Sequence, residues 1–559
     1  MERGRLSWRK LAVVMALALG AARALSMPSW ELMRGPAGVT LELDRRMPFP
    51  VPRPEDLPLV RSGEANLADL VDEGRHQWFF DAPLEGEPFG VPAALFDLHF
   101  GNARGLERDR LYELFEVVTR TGLVHVPGEE LPRGIVRTRG QMPLITQNCS
   151  ACHSGVVENQ LIPGIGNKWY NQEAIIDHAR NLMRASVPLL LAQGPAGAEL
   201  LRETRRQMAK LERYDALYGR GCRDLAPGMI TAARIWQISS KLLHDPAQLA
   251  TTEGLQRFMC GATKPPPLNT LRFRNLLFWD GSVNSLWVAH WPMFDFFGFD
   301  DYDRWDRKVR SREIQALDAF VVFGTRSPSW EEVMGTPVRK DMAARGHELF
   351  HRANSCASCH GIHDESGMLR SFRPTITPLK VIRTDEERAV AAFDELMQEF
   401  AQYGWAYVPR LDGYREYDPG YTPMPLCSPF LNFPYLHTGA VGSLYELLLP
   451  EEERQRGYIQ SDVVDKVKVG YFAPGRFPQK LEPRAKPPRI LPRNFRDELV
   501  RGHSGARFGT TMSTSERWDL LEYLKTLRCP EEEGVIQPER ARVIPGQPRS
   551  MERSASLQP

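Results

Sequence analysis

Cys149-Ser150-Ala151-Cys152-His153 and, about 200 residues further on, Cys356-Ala357-Ser358-Cys359-His360 share one pattern, C-x-x-C-H. Two thiols three positions apart on a helical turn can form thioethers to both vinyl groups of one porphyrin. The adjoining imidazole then lies beneath the iron, which makes the pattern the attachment signal of c-type haem. The chain holds 8 Cys and 13 His, so chance placement gives about 0.003 matches per chain, and a repeated match is not a compositional accident. The rival chemistries explain less. A thioredoxin-like redox pair does not need the trailing His, a zinc site needs four ligands close together, and plain buried cysteines need no pattern. The motifs therefore assign Cys149, Cys152 and His153 to one covalent haem c and Cys356, Cys359 and His360 to a second, with His153 and His360 as proximal iron ligands. The second ring nitrogen of such a ligand normally donates to a backbone carbonyl. Cys222, Cys260, Cys427 and Cys529 remain, and their spacing does not reveal whether or how they pair.

Outward from the motifs, the chain reads as an exported protein. Arg3, Arg5, Arg9 and Lys10 precede the apolar run Leu11–Ala22, and Ala22-Arg23-Ala24 fits a small-x-small cleavage site. The run has the length of a signal h-region, shorter than the roughly 20 residues of a membrane span. Residues 1–24 are thus expected to be a signal peptide, the localisation periplasmic or secreted, and no membrane span is expected after cleavage. An oxidising compartment follows from export. The 559 residues are 42% hydrophobic and 25% charged, a globular balance. Lys plus Arg number 71 against 70 Asp plus Glu, which leaves no bulk positive charge for nucleic acid.

The fold class expected is mainly α, with long loops and few short strands. Apolar residues at three- and four-residue spacing predict helices over 172–191 and 198–217. Lys340–Phe350 reads as a short amphipathic helix. Ser515–Leu527 reads as a final helix with Ser515 as N-cap and Trp518, Leu520, Leu521, Tyr523 and Leu524 on its apolar side. Ser327-Pro328-Ser329 and Gly335-Thr336-Pro337 suggest a boundary. The organisation expected is a haem domain over 25–326, a second over 327–533, and a polar, disordered tail over 534–559. The prolines at 474, 478, 483, 487, 488 and 492 predict an extended surface crossing.

Each haem has a second axial position. His503 is the candidate for the second haem, because Gly502-His503-Ser504-Gly505 lets the backbone approach a macrocycle closely. Met424 and Met512 are the alternatives in the same half, although Met more often fills core gaps.

These residues resemble the bacterial di-haem cytochrome c peroxidase superfamily, which includes haem-dependent rubber oxygenases. The resemblance rests on Asn148–His153, Arg274–Ser282, Gly346–Phe350 before the second motif, Pro434–Leu444, and Gly502–Gly505 with Phe508-Gly509 and the last helix. It implies two cytochrome c-like haem domains, with His503 as sixth ligand of the second haem. In the rubber oxygenase-like branch the first haem holds dioxygen in an apolar pocket, a Trp relays electrons between the haems, and a Phe faces the gas. By position these are Trp279 and Phe294, with Phe278 beside them. The chain is shorter than expected for a rubber oxygenase. Its stretch Trp287–Phe299 (WVAHWPMFDFFGF) departs from the peroxidase pattern, which needs an acid/base group, usually Glu, over the iron. Only His290 and Asp295 could serve. A run so aromatic also fits hydrophobic core.

The function expected is an oxidoreductase. The first haem would activate dioxygen or hydrogen peroxide, the second would relay electrons, and the substrate would be an apolar alkene or polymer. The alternatives are a di-haem cytochrome c peroxidase fed by a small electron-donor protein, an electron carrier with both irons six-coordinate, and a binding module with relic haems.

Overall fold

The computed structural model describes residues 57–81, 90–101, 109–112, 117–216, 228–231, 234, 260–274, 277–281, 286, 290, 307–308, 310–353, 355–372, 376–393, 419–476, 489–491 and 500–531. The expected signal peptide, the expected tail, Cys222, Phe294 and all of the stretch 287–299 except His290 lie outside these residues. So do all the prolines of the 474–492 crossing except Pro474.

The described chain is mainly α-helical with few, short strands. Its longer helices are α1 (Leu67–Phe80), α2 (Gln172–Ala192), α3 (Ala198–Tyr214), α4 (Arg312–Ala319), α5 (Lys340–Phe350) and α6 (Thr514–Thr526). Asn66 starts α1 and Asn171 starts α2, each side chain accepting the backbone N–H three residues on. Helices α2 and α3 pack against Val91, Phe96, Phe100 and Tyr112 in a first core. Helix α5 keeps the bounds that its apolar spacing predicts. Helix α6 begins earlier than expected: its N-cap is Ser513, not Ser515. The reason is Glu516, three residues after Ser513, whose carboxylate returns to the Ser513 N–H and closes a reciprocal capping box.

Helices α5 and α6 cross at Gly346. A Cβ there would stand 2.2 Å from the Asp519 carbonyl oxygen, so only glycine permits the approach. Arg345 clasps Asp519 through two hydrogen bonds of 2.9 and 2.8 Å, and Arg339 reaches Glu522 at 3.0 Å. Phe350 and Tyr523 meet edge-on at 5.5 Å. Because α6 is enclosed, its polar residues Arg517, Asp519, Glu522 and Lys525 are buried together with Leu520, Leu521 and Leu524. The large core around this crossing runs from Trp330 to Leu527 and also takes in Val157, Ile162 and Ile165. The last three come from the hairpin that follows the first C-x-x-C-H motif, Ser154–Val157 paired with Gln160–Pro163, and from the turn after it.

Cys427 and Cys529 form a disulfide across 102 residues, and Cys260 is disulfide-bonded as well. The Cys427–Cys529 bridge ties the residues just after α6 to the segment that follows Met424. Closing a loop of this length contributes about 2–5 kcal/mol. Cys427→Ala/Cys529→Ala is expected to lower the urea midpoint and to steepen the slope, because the unfolded chain without the cross-link exposes more surface; a midpoint equal to wild type would remove the bridge from the account of stability.

Candidate functional site

The first motif is held from below by α1. Asn148 accepts Ser150 N–H at 3.1 Å and Ser150 Oγ–H at 2.8 Å, while its amide donates to the carbonyls of Trp78 (3.0 Å) and Asp81 (3.1 Å). Trp78 Nε1–H donates to Ser154 Oγ at 2.8 Å, just past the motif. Asn167 returns to the motif through its backbone N–H to the Cys152 carbonyl (2.7 Å) and its side chain to the Ala151 carbonyl (2.9 Å). Cys149, Cys152 and His153 thus occupy one rigid turn, Ser150–His153 with Cys149 as its cap. Burial pushes His153 down to about 4, against the Pro266 carbonyl, which favours its protonation.

The second motif is the turn Ala357–His360, seated on α5 by Ser355 Oγ–H donating to the Phe350 carbonyl at 2.7 Å. His360 Nδ1 lies 2.7 Å from the Met424 carbonyl, which accepts its proton and fixes the tautomer with Nε2 free. Across from His360 stands His503. The two ring centroids are 6.3 Å apart. Two metal–imidazole bonds of about 2.0 Å, with the nitrogens each about 1.1 Å from their ring centres, span the same length. Both residues line one cleft with Cys356, Cys359 and Phe508, and the cleft leaves about 1360 Å³ of space, part of it open to solvent. Its other walls are mostly Leu, Pro and aromatic side chains, the lining expected for a large apolar planar group.

The sequence around His503 folds tightly because it must. Gly502 has φ 77°, and a Cβ there would stand 2.4 Å from the Arg383 backbone. His503 itself has φ 45°. Its N–H donates to the Ile382 carbonyl at 2.7 Å, and Gly502 N–H donates to Glu451 at 2.7 Å. Arg454, 5% exposed, spreads its guanidinium over the carbonyls of Leu447, Leu449, Val500, Gly502 and His503. Burial, with His360 and Arg454 nearby, pushes His503 down to about 3, so the ring is a neutral donor at ordinary pH. The Phe508 ring packs 4.7 Å from it. Met424 does not share this role. Its sulfur accepts from Arg274 Nη1 at 3.1 Å, and its carbonyl sits on the His360 side. Met512 packs at the edge of the large core.

Trp279 lines the same cleft. Its indole N–H donates to the Lys264 carbonyl at 2.8 Å, and its own carbonyl accepts Thr422 N–H at 2.8 Å. Lys264 is two residues from Pro266, whose carbonyl acts on His153, so Trp279 stands on a short chain of contacts joining the two motifs. Phe278 makes the turn with φ 58° and turns toward Arg388, whose guanidinium lies 5.6 Å from its ring. Phe278 is not in the wall of the cleft. His290 Nε2 pairs with Asp318 at 2.8 Å, and the Asp318 charge is felt at Cys149, so this pair belongs to the first motif's surroundings.

The four motif cysteines are unbridged. Burial pushes Cys149 and Cys152 up to about 12 and Cys356 to about 11, keeping them as thiols. A redox dithiol needs the opposite shift. Among the described residues no group of three or more His, Cys, Asp or Glu converges as a metal cage. A metal between His360 and His503 would therefore take its remaining ligands from a prosthetic group. Among the described residues no helix is long and apolar enough to cross a membrane.

Sequence reasoning misses Arg454, the Arg274–Met424 contact and the fully buried pair Arg388–Asp280 (2.5 Å). Each joins residues distant in the chain, and none carries a local motif. His363, 1% exposed with its ring pushed down to about 4 by burial, is likewise without a signal. Its folded value lies below the ordinary 6.5, so the unfolded chain binds the extra proton first. The contribution of His363 to stability is full above about pH 6.5 and is lost, on the order of 3 kcal/mol, toward pH 4. The slope of stability against pH in that window should shrink in His363→Gln; an identical slope would assign the acid sensitivity elsewhere.

No protein-family model matches the chain, and no curated protein matches it.

Proposed function

We propose that the chain is an exported di-haem oxidoreductase built of two cytochrome c-like haem domains. The observation that carries this reading is the pair His360–His503, set 6.3 Å apart across an apolar cleft that also receives Cys356 and Cys359. A c-type haem bound there would supply one-electron chemistry, and His360, His503, Cys356 and Cys359 are the residues that would hold it. The Met424 carbonyl holds the His360 proton on Nδ1 and makes Nε2 the donor atom. Arg454 and Glu451 hold the His503 loop against the cleft. With His360 and His503 both turned to hold it, such a group would serve to store or relay an electron rather than to bind substrate. The first motif supplies Cys149, Cys152 and His153 for a second haem, where dioxygen or peroxide would react.

Trp279 is the relay between the two centres in this reading, supported by its place in the cleft wall and its tie to Lys264. For the first centre the reading favoured is oxygenation of an apolar alkene or polyisoprenoid, resting on the resemblance and on the aromatic stretch that contains Phe294. One observation favours peroxidase as a second reading: His290 and Asp318 form a hydrogen-bonded pair in the surroundings of Cys149, where the imidazole could hold and deliver a proton.

Denatured protein is expected to keep haem stain and to give two pyridine haemochromes per chain; a count of one, or haem extractable by acid acetone, refutes the reading. His503→Ala should turn the second centre from low spin to high or mixed spin and open it to carbon monoxide, with the first centre nearly unchanged. Parallel assays with dioxygen plus polyisoprene and with hydrogen peroxide plus reduced cytochrome c decide the reaction. Peroxide turnover that collapses in His290→Ala, with no oxygen consumed on the alkene, selects peroxidase.

A further inference from the structure

Lys168 is 9% exposed, and among the described residues its ammonium has no hydrogen-bond partner. It rests 4.4 Å from the face of the Phe433 ring. A second ammonium, that of the half-buried Lys264, donates to the carbonyls of Asn432 and Pro434. Both lysines line one small cavity, closed by Gly166–Asn167 and Pro265 on one side and by Leu431–Pro434 and Tyr458 on the other. Among the described residues no Asp or Glu lines it, and neither lysine has a carboxylate partner. Two ammonium groups in an interior without a counter-charge repel each other and lose hydration. Burial accordingly pushes both down to about 7, and Lys168 adds to the effect on Lys264.

The position of the cavity narrows the ligand. Lys168 follows Asn167, which is bonded twice to the first motif. Lys264, Pro267 and Asn432 are walls of both this cavity and the cleft that holds His360 and His503. The cavity is therefore a junction between the two motifs, and it is too small for a substrate.

We propose that this cavity is a carboxylate site, in which Lys168, with Lys264 beside it, holds an anionic oxygen group at the junction of the two centres. The inference rests on the di-haem reading, because each porphyrin carries two propionates at its edge and either centre could place one here. A free small anion is the other source of the same chemistry. In both cases the ammonium of Lys168 donates to the carboxylate-type oxygen. Phe433, Pro265, Pro267 and Pro434 make much of the wall apolar, so the charge pair is weakly screened there.

The test uses the full-length holoprotein, Lys168→Met and Lys168→Arg, with the haem count taken first. A count below two in the wild type defeats the di-haem reading itself, and so is told apart from a failure of the carboxylate site. With two haems present in all three proteins, resonance Raman reads the propionate-bending bands, and a redox titration reads both midpoint potentials. A propionate at Lys168 moves one haem's bending band and lowers that haem's potential in Lys168→Met, and Lys168→Arg restores both. A free anion leaves the bands alone; instead, added acetate or bromide shifts a wild-type potential, and Lys168→Met abolishes that response. Bands unmoved in Lys168→Met together with no anion response in the wild type overturn the site, even if a potential falls through loss of charge alone.

Discussion

Arg454→Met is expected to free the His503 loop. The substitution keeps an aliphatic stem but removes every donor that the carbonyls of Leu447, Leu449, Val500, Gly502 and His503 now share. Charge-assisted hydrogen bonds are worth about 1.5–3 kcal/mol each before relaxation, and some of these acceptors will find water, so the net loss is on the order of 3–5 kcal/mol. The loss does not spread evenly. The run of contacts from Val500 to His503 is held from the other side by Glu451 and the Ile382 carbonyl. His503 keeps its left-handed backbone only while both sides grip it. The variant should thus show a lower melting temperature and, on the proposed di-haem reading, a mixed-spin second centre that binds carbon monoxide, approaching the His503→Ala spectrum. Arg454→Lys, with three donors on a flexible stem, should fall between. A low-spin spectrum identical to wild type together with an unchanged melting temperature would take Arg454 out of the ligand's support.

The parts of this site that are legible in sequence are those carried by local spacing. The two C-x-x-C-H turns are helical turns in the fold because three-residue spacing is a helical period. His503 stands out because Gly502 and Gly505 flank it, and both adopt positive φ. Helices α2 and α5 follow their apolar periodicity. Most of the rest fails because its partners are distant in the chain. Nothing near Arg454 says that five carbonyls, from 447 to 503, converge on it. Nothing near Lys168 says that Phe433 will cover it, or that Lys264 will stand in the same cavity. Met424 reads as a ligand candidate because sulfur binds iron, yet its carbonyl, which every residue has, is the atom that serves His360. Phe278 reads as part of an aromatic pocket, while the fold gives its ring to Arg388. Ser515 loses the cap to Ser513 because Glu516 sits at the one spacing that closes a capping box.

Asp280→Ala should be the most damaging single change among the buried ion pairs. Asp280 is fully buried, and its carboxylate meets Arg388, 3% exposed, at 2.5 Å. Arg274, 2% exposed, also feels this charge, which opposes the burial that pushes its guanidinium down to about 9. Removing the carboxylate leaves two cationic groups in the interior, and breaking such a pair costs about 3–5 kcal/mol. The damage reaches the site because Asp280 adjoins Trp279. Arg274 bonds the Phe278 carbonyl at 2.6 Å and the Met424 sulfur, so losing its counter-charge disturbs the turn that aims the indole and the segment that fixes His360. Asp280→Asn, which keeps the shape, should lose less. A double change, Asp280→Leu with Arg388→Met, should recover part of the loss, because it removes the stranded charge along with its partner. The decisive comparison is the unfolding free energy of the single and double variants beside, on the proposed di-haem reading, the rate of electron transfer between the two centres. If Asp280→Ala costs under about 1 kcal/mol, the pair is not the brace that its burial implies. If the double variant regains stability but not the transfer rate, the charge itself sets the position of Trp279.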